Sequence, residues 1–453
     1  MESSQPSTER ISNLVSSQRS FFQSGQTLPL EFRQKRLVKM EAELRSRADD
    51  LLAALDSDLG KPAVEAWTAE IYFVLAELRL FTRKLKRWAR PKRVGSPFFH
   101  LPAWSEIRLI PQGTVLIAGP WNYPAQLSLS PLIAAVAAGN TVVLKPSELA
   151  PATAQFLENL LGTVFEPEHV AVVQGGPEIG QQLLEQPFDH FFFTGGEKVG
   201  RLYAEAAANR LAPATLELGG KCPCVVDRDV RIDRAGERIA AAKFWNAGQT
   251  CFAPDFVLVD ESIREPLVES LLENLSNADQ AKIVNEHHFQ RLQRLISEDA
   301  LRAGEDRPDE LRLAPTILPN ATWDSPAMEE EIFGPILPVI GYNNLDSALV
   351  RLAELPSPLA LYAFSKSRQT QEKIAAVVPS GSVCFNDAMK QATNLNLPFG
   401  GVGASGHGRY RGRAGLENFS HQRAVTRRWF NKDPFLVNPP YGNKIKQLRK
   451  ILR

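Results

Sequence analysis

The chain has 453 residues, 44% hydrophobic and 23% charged, ordinary globular proportions that exclude a broadly disordered protein and a small stapled scaffold. Fifty-two basic against fifty-one acidic side chains leave +1, so neither nucleic acid nor an anionic membrane is drawn to the chain as a whole. Four cysteines are too few for a disulfide framework, the opening Met1-Glu2-Ser3-Ser4 is not signal-like, and the longest apolar run, residues 132–138, is far short of the roughly 20 residues of a membrane span, so a reducing, cytoplasmic setting is expected.

From residue 7 to 91 the apolar residues recur three and four apart, as in Leu51, Leu52, Leu55 and Leu59 and again in Ile71, Val74, Leu75, Leu78 and Phe81. The spacing predicts helices, and no chemistry is visible there. Residues 91–111 hold four prolines and Gly95, with an alternating stretch 104–109 that predicts one exposed strand inside an arm. After Gly113 the periods alternate. Apolar strands are predicted at 114–117, 141–144, 169–173 and 191–193, and helices at 126–138, 153–161, 179–184 and 199–209. Strict alternation with short, all-apolar strands means an α/β fold with a parallel sheet covered on both faces, whose ligands sit at the carboxyl ends of the strands. From Leu218 a second region has its own strands, at 256–259 and 381–384, and helices at 263–275 and 347–355. The tail after Asn431 is proline-rich, then basic.

Cys251 stands among small and polar residues just before a strand, in Gly248-Gln249-Thr250-Cys251-Phe252-Ala253-Pro254. An isolated cysteine is usually a packed small hydrophobe, but here a second feature bears on it. Thirty-four residues upstream, the strand Ala214-Thr215-Leu216 delivers Glu217 and then two glycines, a pattern suited to close backbone approach by a ligand. Asn122, in Trp121-Asn122-Tyr123-Pro124, follows the first strand of the alternating region; it is either a turn residue or an amide donor for an oxyanion. Lys145-Pro146-Ser147-Glu148 ends the next strand, and a glutamate there is either a solvated turn or a partner for ribose hydroxyls. Thr194-Gly195-Gly196-Glu197-Lys198-Val199-Gly200 opens a helix after a strand, as a phosphate site does. The only literal Gly-x-Gly-x-x-Gly, residues 401–406, has no strand before it and is discounted. Glu331 and Phe333 lie two apart, on one face if the segment is extended.

Cys222 and Cys224 have no histidine nearby and read as strand cysteines, so no metal site is expected. His287 and His288 read as solvated, and His421 as structural.

In this order, PWNYP, LKPSE, FTGGEKVG, LELGGK, GQTCFAPD, EEIFGP and PFGGVGASGHGRYRG resemble the NAD(P)-dependent aldehyde dehydrogenases over residues 8 to 440. The ending FSHQRAV before a Pro-Pro-Tyr tail resembles their class 3 branch, which handles fatty and aromatic aldehydes. The resemblance implies a Rossmann-type parallel-sheet cofactor domain (1–90 and 112–217), an α/β catalytic domain (218–395), and bridging or oligomerisation segments with a basic tail (91–111 and 396–453). It implies Cys251 as nucleophile, Glu217 as general base, and Asn122 with the Cys251 backbone N–H as oxyanion donors. For the cofactor, NAD with NADP as the alternative, it implies Lys145 and Glu148 at the adenosine ribose, Gly195, Gly196 and Gly200 at the pyrophosphate, Glu331 and Phe333 towards the nicotinamide, and Trp121 as a further cofactor-binding residue. Glu148 argues for NAD, because a carboxylate repels a 2′-phosphate. Glu217 argues for water as the acyl acceptor, against a CoA-acylating or phosphorylating reductase. Intact Cys251, Glu217 and Asn122 argue against a non-catalytic binding protein.

Two departures from the family pattern stand out: a shortened segment between Leu275 and Leu313, and a basic ending where membrane-bound relatives carry an apolar helix. An aldehyde substrate, no nucleic acid and a homodimer are expected. Lys444 to Arg453 carries five positive charges with Ile445, Leu448 and Leu452 at helical spacing, the pattern either of a frayed, soluble basic tail or of a weak peripheral membrane contact.

Overall fold

The computed structural model describes residues 7–276, 280–430 and 438–451. The polar opening at Met1, the start of the proline-rich stretch at 431–437, and Leu452 and Arg453 lie outside the described residues.

The expected alternation builds a six-stranded sheet. Its order is Gly406–His407, Ala214–Glu217, His190–Thr194, Thr114–Ala118, Thr141–Lys145, Val170–Val172, parallel throughout except for the first strand. The three central strands are buried along their whole length, which is why they are nearly all apolar. Helix Gln126–Ala138 is also buried on every face, so it reads as apolar without a stripe. The N-terminal helices cover the same layer, with Leu30–Ser46 packed on Phe73–Trp88 and on Pro151–Val164. After Thr114–Ala118 the chain adds strands on one side, then returns to add His190–Thr194 and Ala214–Glu217 on the other. That reversal opens a crevice at the carboxyl ends of the strands, where Asn122 and Gly195 follow their strands.

A seven-stranded sheet forms the second layer, in the order Leu301–Arg302, Thr316–Leu318, Ile336–Tyr342, Phe256–Asp260, Pro223–Val226, Ala360–Phe364, Ser382–Phe385, parallel except for the first strand. Cys222 and Cys224 are both buried at the start of Pro223–Val226, and among the described residues no cluster of metal ligands exists.

The arm differs from its expectation. The stretch 104–109, expected as one exposed strand of a subunit-bridging arm, belongs to Ala103–Pro111, a half-buried strand in the middle of a three-stranded antiparallel sheet between Lys92–Val94 and Ser420–Arg428. A single stretch of sequence cannot reveal this, because the longer partner strand lies some 300 residues away. Segment 396–453 also divides: Gly406–His407 extends the first sheet against Leu216 and Glu217, while Ser420–Arg428 joins the arm. The basic tail forms an exposed helix, Lys444–Ile451. No helix among the described residues is long and apolar enough to cross a membrane.

Candidate active site

Between the two sheets lies a cleft of about 710 Å³ lined by Trp121, Asn122, Gly195, Gly196, Glu217, Cys251, Glu331 and Phe333. The loop carrying Cys251 is a strained turn, with Asn246 (φ 55°) and Ala247 (φ 51°) in the left-handed region followed by Gly248 (φ 72°). At Gly248 a Cβ would sit 2.2 Å from the Gly334 carbonyl oxygen, so only glycine lets the two loops close. Side-chain hydrogen bonds hold the turn. Asn246 Nδ2 donates to the Asn122 carbonyl (3.0 Å) and Tyr123 Oη meets Thr250 Oγ1 (2.6 Å). Asn122 Nδ2 donates one N–H to the Gln249 carbonyl (3.0 Å). An amide nitrogen has two N–H donors, so this bond orients Asn122 and leaves the second for a ligand.

Glu217 ends its strand fully buried, and among the described residues neither carboxylate oxygen has a hydrogen-bond partner. Burial holds its carboxyl well above the ordinary range, with Arg411 and then Arg409 pulling it back. Burial also pushes up the Cys251 thiol; Glu331 and Glu217 add to this and Arg411 opposes it. A buried, unengaged carboxyl beside a thiol is a group that can take a proton from water in the cleft.

Glu331 and Phe333 line the cleft, but not as an extended segment: Phe333 is left-handed at φ 50°. The Glu331 carboxylate folds onto Gly219, where a Cβ would lie 2.2 Å from Oε2, and burial raises that carboxyl to about 8. The Phe333 ring meets Trp121 edge-on, with centroids 5.4 Å apart.

Helix Glu197–Asn209 begins at Gly196 with no side-chain cap, and a Cβ on Gly196 would have nothing within 4 Å. Its N-terminal N–H groups are therefore open to the cleft, as a pyrophosphate requires. Gly200 lies outside the lining; a Cβ there would come within 2.8 Å of Leu218, so its role is close packing of helix on strand. Lys145 and Glu148 stand at the end of the adjacent strand, outside the lining and paired to each other at 3.0 Å. These residues fit a dinucleotide laid across the carboxyl ends of the strands.

The model of the aldehyde dehydrogenase family matches residues 2–425. The chain belongs to that family. It is an NAD(P)-dependent aldehyde dehydrogenase, an oxidoreductase that converts aldehydes to acids. Among its relatives is the 4,4'-diaponeurosporen-aldehyde dehydrogenase of Staphylococcus aureus, 40% identical over 447 residues, 96% of this chain and 97% of that protein. The "Aldehyde dehydrogenase, dimeric NADP-preferring" of Rattus norvegicus is 40% identical over 424 residues, 91% of this chain and 94% of that protein. A substrate-bound structure of Staphylococcus aureus AldH superimposes with a TM-score of 0.95 at 39% identity, covering 97% of this chain and 99% of that one.

Part of this aldehyde dehydrogenase's site comes from residues 7–91, whose sequence pattern shows no chemistry: three buried or part-buried side chains there hold the loops of the cleft. Lys61 Nζ donates to Glu70 Oε1 (2.6 Å) and to the Asn122 carbonyl (2.8 Å). Glu70 Oε2 accepts from the Ala125 and Gln126 N–H groups, both at 3.0 Å, and Glu65 Oε2 accepts from Asn246 N–H at 2.8 Å. Acids on an apolar face were the available signal, since Glu70 and Glu77 flank Val74 on the stripe that ends at Phe81. A π-turn over Ala66–Tyr72 shifts the helical phase there and hides it. His288, expected to be solvated, is half-buried in the cleft wall, its ring 6.2 Å from Trp121. Lys221 pairs with Asp255 and donates to the Ala327 (2.8 Å) and Glu330 (3.0 Å) carbonyls, so the LELGGK lysine anchors the loop of Glu331. His421 is exposed on the arm strand, away from the cleft.

Proposed function

We propose that this enzyme oxidises apolar aldehydes, medium- or long-chain aliphatic or aromatic, through a thiohemiacetal and then a thioester on Cys251. The observation that carries the reading is the meeting of Cys251, Glu217 and Asn122 in one cleft beside an uncapped helix N-terminus. Cys251 Sγ adds to the aldehyde carbon. The oxygen that becomes negative is received by the second Asn122 N–H and the Cys251 backbone N–H. NAD(P), held by the residues named below, would supply the acceptor for the hydride. Glu217 takes the proton of the water that cleaves the thioester, which makes the product an acid rather than an acyl-CoA or acyl phosphate. Gly195 and Gly196 hold the pyrophosphate, with Gly200 packing the helix behind it. Lys145 and Glu148 hold the adenosine ribose, and Trp121, Glu331 and Phe333 bound the nicotinamide side. The name of the Staphylococcus aureus relative, 4,4'-diaponeurosporen-aldehyde dehydrogenase, supports an aldehyde substrate.

In this reading residues 1–90 and 112–217 are the cofactor domain and 218–395 the catalytic domain. Segments 91–111 and 396–453 bridge two subunits of a cytoplasmic homodimer. Strand Ser420–Arg428 pairs on one side only among the described residues, and a nine-residue open edge favours a partner strand. The name of the rat relative supports the dimer. Helix Lys444–Ile451, basic and exposed, supports weak, salt-sensitive contact with an anionic surface.

Cys251→Ala tests the core of the proposal. The variant is expected to fold and to bind NAD with unchanged affinity while producing no NADH from aldehydes of any chain length. Turnover by the folded variant would end the assignment.

A further inference from the structure

Arg411 is a cation in an unusual place. It is 3% exposed, it is left-handed at φ 77°, and its Nε has no hydrogen-bond partner among the described residues. Aromatic rings surround it: the guanidinium carbon lies 4.1 Å from the Phe399 ring centre, 4.7 Å from that of Phe73 and 5.5 Å from that of Tyr410. Burying an arginine without a bidentate acid partner is costly, and cation–π contacts repay only part of it. A position that keeps such a group has a use for its charge.

The surroundings indicate the use. Phe399 touches Phe252, the neighbour of Cys251, with ring centres 5.5 Å apart, so one ring separates the guanidinium from the residue beside the nucleophile. Earlier in the same segment, Gly408 packs against Thr215 and Gly406 pairs with Glu217 itself. Gly412, the next residue, donates to the buried Glu77 (2.9 Å), which fixes the backbone that carries the side chain. Within a box of rings a charge is poorly screened and is felt several ångströms away.

We propose that Arg411 is a positioning residue of the reaction centre, a fixed buried cation whose charge favours the thiolate of Cys251 and the carboxylate of Glu217. The proposal rests on the reading of those two residues as nucleophile and base. Glu331 and Glu217 disfavour negative charge on Cys251 and Arg411 opposes them; Tyr123, Tyr410 and Cys222 also face the sulfur but are held neutral by burial. Glu217 feels Arg411 and, more weakly, Arg409, which is exposed and therefore screened. Glu77 is a buried acid that also feels Arg411. Arg411 is thus the cation that opposes the two carboxyls, Glu331 and Glu217, at the thiol.

The test is the pH dependence of Cys251 alkylation by iodoacetamide, followed with loss of turnover in the full-length enzyme. Arg411→Met keeps the length and the apolar contact with the rings but removes the charge; Arg411→Lys keeps the charge. The Met variant is expected to raise the alkylation midpoint by about one pH unit, which slows alkylation near pH 7 about tenfold, and the Lys variant to shift it less than half as far. A folded Met variant with an unchanged midpoint would overturn the proposal. So would equal shifts in both variants, since packing alone then explains them. If Arg411→Met does not fold, Arg411→Gln carries the same expectation. Turnover that survives full alkylation of the wild-type thiol would instead remove Cys251 as nucleophile, a separate failure.

Discussion

The Lys61 ammonium and the Glu70 carboxylate form an ion pair at 2.6 Å with both side chains shut off from solvent, and the same ammonium holds the backbone carbonyl of Asn122. The pair ties the N-terminal helical layer to the loop that carries Asn122. Glu70 in turn satisfies two backbone N–H groups at the start of helix Gln126–Ala138. Removing one partner leaves the other charge buried and alone, which costs about 3–5 kcal/mol. Glu70→Gln is therefore expected to lower stability by about that much in urea unfolding. Lys61→Met combined with Glu70→Gln should recover part of the loss. At temperatures where the single variant is still folded, its NADH burst should keep its amplitude per thiol while the burst rate falls. A reduced amplitude at full rate would mean that the pair only maintains folding.

Glu217→Gln should leave the first turnover largely intact and slow the release of acid by about 10² or more, giving a burst of NADH followed by a low steady rate. As the base of the proposed mechanism, Glu217 has to be ionised for the wild-type steady rate. Because burial raises that carboxyl, the rate should fall on acidification while still above the ordinary carboxylate range. An unchanged steady rate in the Gln variant would remove Glu217 from the base role.

Glu65 gives a pH dependence of stability of definite sign. Burial raises its carboxyl from 4.5 to about 7, against the pull of the Asn246 N–H and Lys61. The folded state holds this proton more tightly than the unfolded chain, so the contribution is full below the unfolded value and is lost as pH rises through about 7. Glu65→Gln keeps an oxygen to accept from Asn246 and cannot ionise. It should match the wild type in acid and exceed it above pH 8 by on the order of 2 kcal/mol, after discounting for partial exposure. Equal stability across the range would mean that Glu65 titrates normally.

Cofactor preference tests Glu148. Its carboxylate is exposed and its nearest cation, Lys145, is 3.0 Å away. With that lysine beside it, the repulsion of a 2′-phosphate is reduced rather than abolished, so NAD is expected to be preferred by a modest factor. Glu148→Ala should lower KM for NADP about tenfold with little change in kcat for either cofactor. A variant with unaltered KM values would place the ribose elsewhere.

Much of this enzyme was legible without coordinates because its signals are local. Short apolar strands alternating with helices defined the parallel sheet, and single residues at strand ends, Asn122, Glu217 and Gly195, stand where the chain order of such a sheet puts a ligand. Cys251 stood out for the same reason, as a cysteine among small residues before a strand, and it lines the cleft. What stayed hidden depends on contacts between distant segments. The middle position of Ala103–Pro111 is set by a partner some 300 residues on, and the left-handed turns at Asn246 and Phe333 are held by side chains from other loops. Lys61, Glu70 and Arg411 belong to this second group. A charged residue declares its role only when the apolar packing around it is known, because burial, not residue type, decides whether its charge is screened by water or felt at the reacting atoms.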